Sequence, residues 1–397
     1  MSIPKVRSIP VAVFDISSSS VGGAHALIKK AAHGEIPLVE KAAVLAQSRT
    51  QAPLQTELNI ERFVAEALKG LETVATDIRK RDVHHPEYIQ VVLASPWYTS
   101  QTRTIFFNKP TPFVCTEKLV HSLVDKEIEY ILKNETDRFG ALGTEYSIVE
   151  KQLSLIKLNG YVTHTPYGKR ATSIEVYLTV TIAPKKVLDQ FTDLLKRLYG
   201  TRPIGITTSA YATFVSLRSR AAATHESVIV DVGEEVTDVA FIKDELFLYQ
   251  HSFPVGTYEL YRALSAEGNH TAAEAISVLE SYGLQKLSDG AKQTVEKSLA
   301  AFTATWQKGL QSVIDEGHYG FTLPPQWFTV VDPHFVQLVQ RAITTDPYLA
   351  HRSNTPISST IVTTETLEKS VKSAPDTALD IPLGVGLLFV ESFLLVE

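Results

Sequence analysis

The stretch VIVDVGEEVTDVAFIKDELFLYQHSFPVG, residues 228–256, carries the clearest structural pattern in this chain. A short apolar strand runs into Asp231, a turn of small and acidic residues follows, and a second strand returns. The stretch VAVFDISSSSVG, residues 11–22, repeats that plan with Asp15 and a run of serines. Because the same plan occurs near the start of each half, the sequence predicts two related lobes.

The two turns also carry residue types that bind a phosphate chain. Tight turns of small residues point backbone N–H groups at phosphate, and Ser or Thr hydroxyls add further donors. An aspartate at the end of each strand can hold Mg²⁺ through water, so Asp15 and Asp231 are the candidate metal anchors. The other candidate nucleotide-binding residues lie in the two turns or open the next helix: Ser17, Ser18, Ser19, Gly233, Glu234, Glu235, Thr237, Asp238 and Gly256.

Composition limits the class of protein. The chain has 397 residues, of which 44% are hydrophobic and 21% charged, and this balance is typical of a protein with a buried core. Its net charge of −6 favours neither nucleic acid nor anionic lipid as a partner. With the single cysteine Cys115, no disulfide can form within the chain, and a reduced, cytoplasmic compartment is expected.

No membrane-crossing segment is expected. The N-terminus lacks the features of a secretory signal, and no run approaches the roughly 18–20 apolar residues that a spanning helix needs. The longest apolar tract, residues 381–396, is interrupted by Glu391, and its glycines favour a packed core helix. No Lys or Arg follows Lys372, so we expect no direct membrane anchor and any membrane contact to come through a partner.

The pattern changes in the middle of the chain. A strand, a helix and two more strands follow one another, and the last strand, residues 174–182, alternates apolar and polar residues. Near the end, residues 353–380 are rich in Ser, Thr and Pro and are predicted to be mostly loop. We therefore predict four segments: the N-terminal part of the first lobe (1–100), an inserted subdomain (101–183), a return to the first lobe (184–225) and a second lobe (226–397).

These stretches resemble the actin-like ATPases, and within them the bacterial cell-division protein FtsA and its relative PilM from type IV pilus assembly. Residues 11–22 and 228–256 resemble the two phosphate-binding strand-turns of that superfamily. LNGY at 158–161 and PYGKRATSIEV at 166–176 resemble the inserted subdomain of FtsA, and AAEAISVLESYG at 272–283 resembles a helix of the same family. The resemblance implies an α/β fold with two actin-like (ribonuclease H-like) lobes and an FtsA-type inserted strand-helix subdomain.

The chain departs from this family where glycine usually lets the backbone approach the nucleotide. Ser17 stands in place of a glycine in the first loop, and Glu234 and Glu235 stand in a second loop that is usually glycine-rich. A carboxylate about 4 Å from a phosphate oxygen costs about 1 to 4 kcal/mol. We therefore expect ATP and Mg²⁺ to bind weakly or not at all, and the protein to be at most a weak ATPase.

The resemblance leaves three functions open. The leading hypothesis is an FtsA-like cytoplasmic adaptor that self-associates and links a tubulin-like division polymer to membrane partners. The first alternative is a PilM-like platform of type IV pilus assembly that binds a short cytoplasmic peptide of a membrane protein. The second alternative is a sugar or metabolite kinase of the same superfamily. Both leading roles place the protein in the cytoplasm, recruited to the inner face of the membrane by a partner.

Overall fold

The computed structural model describes the chain except for residues 1–5, 32–40, 54, 56–58, 135–144, 219–225, 245, 269–270, 317–321, 374–377 and 395–397. The described residues form three β-sheets with helices packed on their faces. Each of the two larger sheets carries one of the two strand-turn stretches quoted above.

The first sheet is built around a strand that is buried on both faces. In β1 (Val6–Ile16), Val11 and Val13 face one hydrophobic core, whereas Ala12 and Phe14 face another, so the strand is a nearly continuous apolar run. The strands in chain order are β1, β2 (Ser20–Ala31), β3 (Ala42–Gln51), β4 (Tyr88–Leu93), β9 (Ile204–Thr208) and β15 (Val371–Lys372), and their order in the sheet is β15-β3-β2-β1-β4-β9.

Helices cover both faces of this sheet. On one face lie α1 (Ile60–Arg81) and α3 (Lys185–Tyr199), and on the other lie α4 (Ser209–Arg218) and α11 (Ile381–Leu394). α3 ends at Gly200, whose φ of 77° is a conformation that glycine adopts without strain. A glycine at this position therefore ends the helix without backbone strain.

The second sheet repeats the plan of the first. Its first strand, β10, pairs antiparallel with β11 and parallel with β13, as β1 does with β2 and β4. The strands are β10 (Glu226–Val232), β11 (Thr237–Lys243), β12 (Leu246–Phe253), β13 (Gln326–Val331) and β14 (Ser358–Ile361), in the order β12-β11-β10-β13-β14. The helices of this half are α5 (Thr257–Gly268), α6 (Ala272–Gly283), α7 (Asp289–Glu316), a 3₁₀ turn (Pro333–Phe335), α8 (Val336–Thr344), α9 (Pro347–Arg352) and α10 (Thr364–Glu368).

Helix α11 packs on the first sheet, against β1 and β2, and against α4. One hydrophobic core contains Val13 of the first sheet, Ile229 of the second and Leu387 of α11. The helix is apolar around most of its circumference, as expected for a helix buried on all sides. Its Glu391 is paired with Lys41 at 3.1 Å. The packed core helix predicted for this tract is confirmed, and no helix in the described part of the chain is long and apolar enough to cross a bilayer.

Two predicted features differ from the structure. Residues 353–380, predicted to be mostly loop, contain β14, α10 and β15. The C-terminal part of the predicted second lobe, residues 226–397, packs with the first lobe instead. Strand β15 pairs with β3, and α11 packs against β1 and β2. The physical reason is that an apolar helix without a polar face needs a partner on each side, and α11 finds these partners in the first sheet and in α4 and α10.

The third sheet forms a smaller unit with its own core. Its strands are β5 (Thr99–Val114), β6 (Tyr146–Leu158), β7 (Tyr161–Val162) and β8 (Arg170–Pro184), in the order β5-β8-β6-β7, and α2 (Glu117–Asn134) packs on them. The unit contacts both lobes: Glu150 accepts a 2.8 Å hydrogen bond from the Thr208 N–H, and Ser154 donates a 2.6 Å bond to the Phe247 carbonyl on β12. Its identity as an FtsA-type subdomain stays a prediction.

Candidate functional site in the interlobe cleft

The structure brings the two predicted turns together across the cleft. The hydroxyl of Ser18, between β1 and β2, donates a hydrogen bond of 3.3 Å to the Glu234 carboxylate, between β10 and β11. Both turns follow the first strand of their sheet, so the repeated plan places them at equivalent positions. The two loops therefore contact each other directly through Ser18 and Glu234, two residues predicted to bind a nucleotide.

The first turn satisfies much of its own hydrogen bonding. The Ser17 hydroxyl accepts hydrogen bonds from the N–H groups of Ser19 (3.3 Å) and Ser20 (3.0 Å), and the Ser17 N–H donates to the Ser20 carbonyl at 2.9 Å. The Ser17 carbonyl in turn accepts a 2.9 Å bond from the Trp97 indole N–H. The serine that stands in place of a glycine thus closes the turn, and the Ser19 and Ser20 N–H groups point at its side chain.

Asp15, the first predicted metal anchor, is paired with an arginine that sequence reasoning missed. The guanidinium of Arg49 donates to the Asp15 carboxylate at 2.7 Å and to the Ser20 hydroxyl at 2.7 Å. It also donates to both carboxylate oxygens of Asp380, at 2.6 and 2.9 Å. Burial lowers the pKa of Arg49, but the charges of Asp15 and Asp380 more than offset this and hold it above its ordinary value.

Asp231, the second predicted anchor, lies directly opposite Asp238 on the neighbouring strand. Burial and the charge of Asp238 raise the pKa of Asp231 to about 7. Burial raises the pKa of Asp238 to about 6, even though the Ser95 and Tyr98 hydroxyls donate to it at 2.8 and 3.2 Å. These donors favour the ionised form of Asp238. Because the pKa of Asp231 is raised to about 7, the pair as a whole retains a proton near neutral pH.

Glu235 does not face the cleft, which corrects the expectation that both glutamates oppose a phosphate chain. It is buried, and its two carboxylate oxygens accept bonds of 3.0 and 2.8 Å from the guanidinium of Arg262 on α5. Since Arg262 offers two parallel N–H donors, it holds Glu235 away from the first turn. Of the two glutamates, Glu234 is the one whose carboxylate faces the other lobe, at Ser18.

The second turn is fastened to the start of α5. The N–H groups of Thr257 and Tyr258 donate to the carbonyls of Gly233 (3.0 Å) and Glu234 (2.8 Å). A Cβ atom at Gly256 would lie 2.3 Å from the Glu234 carbonyl, so glycine is required for this close approach. Thr237 also turns inward and donates a 2.7 Å bond to the Val255 carbonyl. These N–H groups and this hydroxyl therefore bind the protein itself.

Two residues that sequence reasoning did not assign to the site complete the contact between the lobes. Tyr98, which donates to Asp238, accepts a 2.9 Å bond from the Gln250 side chain on β12. Tyr98 lies immediately before β5, the first strand of the inserted unit. Tyr98 is close to Ser95 in the sequence, but its partners Asp238 and Gln250 are more than a hundred residues away, so no local pattern connects them.

The fold family implies ATP and Mg²⁺, and the described residues do not fit them in this arrangement. Asp15 is paired with Arg49, and Asp238 accepts from Ser95 and Tyr98. Glu234 places a carboxylate where a phosphate chain would pass between the turns. The carboxylates of Asp15 and Asp238 and the hydroxyl of Ser17 are thus already bonded within the protein, and Glu234 carries the wrong charge.

Comparison with known proteins identifies the fold. A structure of a PilM-PilN type IV pilus biogenesis complex matches with a TM-score of 0.62 and 14% sequence identity, over 96% of this chain and 98% of that chain. The ethanolamine utilization protein EutJ from Carboxydothermus hydrogenoformans matches with a TM-score of 0.43 and 12% identity, over 98% and 91% of the two chains. No protein-family model and no curated protein sequence matches. The chain has the two-lobed actin-like fold that its sequence predicted.

Proposed function

We propose that this protein is a PilM-like platform that binds a short cytoplasmic segment of a membrane protein and does not turn over a nucleotide. The observation that carries the proposal is the direct bonding between the cleft loops, Ser18 with Glu234 and Ser95 with Asp238. A cleft whose polar groups are satisfied by the protein has few donors left for phosphate. Its lobes then act as a rigid support for a binding surface.

We favour this role over the other two that the resemblance leaves open. The solved PilM-PilN complex shares the fold over nearly the whole of both chains. At 14% identity this likeness supports the fold alone, and the binding of a partner segment is our proposal. An adaptor for a tubulin-like polymer gains no support from the comparisons. A kinase would need open phosphate-binding turns, whereas Ser17 closes the first turn on itself.

The outer edge of β5 is the surface that we propose for the partner segment. β5 is the terminal strand of the small sheet, and no strand in the described part of the chain pairs with its other edge. Phe106 on this strand is 66% exposed. An extended peptide can add to such an edge through main-chain hydrogen bonds and cover an exposed aromatic side chain. A partner bound there would recruit the protein to the inner face of the membrane.

Peptide titration tests the proposal. Fluorescein-labelled peptides would cover the cytoplasmic N-terminal segments of the single-span membrane proteins encoded beside this gene, and anisotropy would report binding. We expect saturable binding of one such peptide, lost in Phe106→Asp and retained in Tyr130→Asp, which changes an equally exposed aromatic residue on α2. Absence of binding by every peptide, or equal loss in both variants, would overturn the proposal or its location.

A further inference from the structure

We infer that Arg49 serves as a built-in cation at the position where this fold would otherwise place a metal ion, so that the cleft is assembled without metal or nucleotide. Its guanidinium contacts three acceptors from separate parts of the chain: Asp15 at the end of β1, Ser20 at the start of β2, and Asp380 before α11. The inference concerns the cleft alone and does not depend on the partner segment proposed above.

The strand register explains how Arg49 reaches Asp15. Asp15 is the register partner of Gly22 on β2, and Gly22 is the register partner of Arg49 on β3. The three residues thus form a row across the sheet, and Asp15 and Arg49 are two strand spacings, about 10 Å, apart along that row. Because Gly22 has no side chain, the arginine can extend over it to the aspartate.

The close fit at Gly22 shows that this path is specific. A Cβ atom at Gly22 would lie 2.5 Å from Arg49 Nη2 and 2.8 Å from its Cζ. Real Cβ atoms do not approach heavy atoms that closely, so any other residue at position 22 would push the guanidinium away. Glycine at position 22 therefore allows Arg49 to place its positive charge beside Asp15.

The charges around Arg49 match those around a divalent cation. Asp15 and Asp380 supply two carboxylates, and Ser20 supplies a hydroxyl, which are the oxygen ligands that Mg²⁺ prefers. The Asp15 side chain is nearly fully buried, and the Arg49 side chain is mostly buried. A metal ion could bind only by displacing a guanidinium held by both carboxylates. Unlike a metal ion, this cation cannot dissociate from the chain.

The built-in cation also fixes the last helix to the cleft. One Asp380 oxygen that accepts from Arg49 also accepts a 3.1 Å bond from the Leu383 N–H in the first turn of α11. Arg49 thereby joins the end of β1, the start of β2 and the start of α11 in one cluster. In a protein that depended on Mg²⁺, these contacts would form only when the metal is bound.

Thermal unfolding tests the inference. We expect the melting temperature of the full chain to be the same in EDTA, in MgCl₂ and in MgCl₂ with ATP. We expect Arg49→Ala to melt at a lower temperature and to gain a saturable stabilisation by MgCl₂, because two carboxylates are left without their cation. The control Arg197→Ala removes an exposed arginine paired with Glu72 at 3.0 Å and should leave the response to MgCl₂ unchanged.

A second variant guards against a failure of Arg49→Ala to fold. Gly22→Ala keeps the arginine but blocks its path, so it should show the same gain of MgCl₂ dependence, whereas Gly290→Ala, at a site with open space around it, should not. Saturable stabilisation of the unmodified protein by MgCl₂ or by MgCl₂ with ATP would overturn the inference. So would an Arg49→Ala protein that is folded and as insensitive to MgCl₂ as the parent.

Discussion

The hydroxyl of Ser95 in the first lobe donates a hydrogen bond of 2.8 Å to the carboxylate of Asp238 in the second, and both side chains are buried. Tyr98 donates to the other oxygen of the same carboxylate at 3.2 Å. The carboxylate of Asp238, on β11, thus accepts hydrogen bonds from two first-lobe hydroxyls. A residue predicted to contact nucleotide instead joins the two lobes.

Replacing Asp238 by alanine should loosen this joint. The Ser95 and Tyr98 hydroxyls would remain buried without their acceptor, at a cost of about 2 to 3 kcal/mol in the free energy of unfolding. Urea unfolding would measure the loss, and small-angle scattering should show a larger radius of gyration as the lobes separate. The exposed Asp193→Ala serves as the control and should change neither quantity. An Asp238→Ala protein as compact and stable as the parent would show that the joint lies elsewhere.

The Asp231–Asp238 pair should make stability depend on pH. The pKa of Asp231 is raised from 3.8 to about 7 in the folded protein, so between these values the folded chain binds a proton that the unfolded chain has lost. Stability contributed by this proton is present below pH 4 and decreases as the pH rises to about 7, above which the contribution is constant.

Asp231→Asn should remove this contribution. We expect a flatter stability profile from pH 5 to pH 8 and a gain of at least about 1 kcal/mol at pH 8 relative to the parent. Urea unfolding at a series of pH values would compare the two proteins. The idea fails if the difference between them is independent of pH across this interval.

Glu235 should contribute to stability and not to nucleotide repulsion. Its removal leaves the Arg262 guanidinium partly buried without its main partner, and breaking such a pair typically costs about 3 to 5 kcal/mol. Glu259 also pairs with Arg262, at 3.2 Å, but is largely exposed, so Glu259→Ala should cost less than about 1 kcal/mol. Chemical unfolding of Glu235→Ala and Glu259→Ala gives the comparison.

A double replacement of Glu234 and Glu235 by glycine would remove both carboxylates of the second turn. We expect lower stability, because Arg262 loses its partner Glu235. We expect no gain of ATP affinity, because Glu234 alone of the two faces the cleft and the Arg49 guanidinium still pairs with Asp15. Calorimetric titration of Mg²⁺-ATP into this variant would show the result. A rise in affinity of tenfold or more would mean that carboxylate repulsion alone had closed the site.

Gly386 should be required for packing α11 against the first sheet. A Cβ atom there would lie 2.6 Å from a Val13 methyl and 3.1 Å from a Val92 methyl, so Gly386→Ala overpacks the interface and should cost about 1 to 3 kcal/mol. Gly283→Ala, at the end of α6 with nothing within 4 Å of its Cβ position, is the control and should be nearly neutral. If both variants have the same free energy of unfolding as the parent, α11 does not pack on the first sheet as described.

The features that the sequence predicts well are those decided by neighbours along the chain. The alternating pattern of residues 174–182 locates β8, and the apolar tract of residues 381–396 locates α11, because burial constrains residues a few positions apart. The two strand-turn repeats similarly predict two related lobes, and their resemblance to the actin-like ATPases implies the fold. These are local signals that need no knowledge of distant residues.

What only the tertiary structure decided is how the polar groups of the turns are paired. Asp380 is 331 residues from Arg49, and Asp238 is 143 residues from Ser95, so no periodicity in the chain connects them. Glu235 could face a phosphate or an arginine, and the position of α5 selects Arg262. A buried charge takes the nearest partner available in three dimensions, because leaving it unpaired is costly, and the sequence does not reveal which distant residue that is.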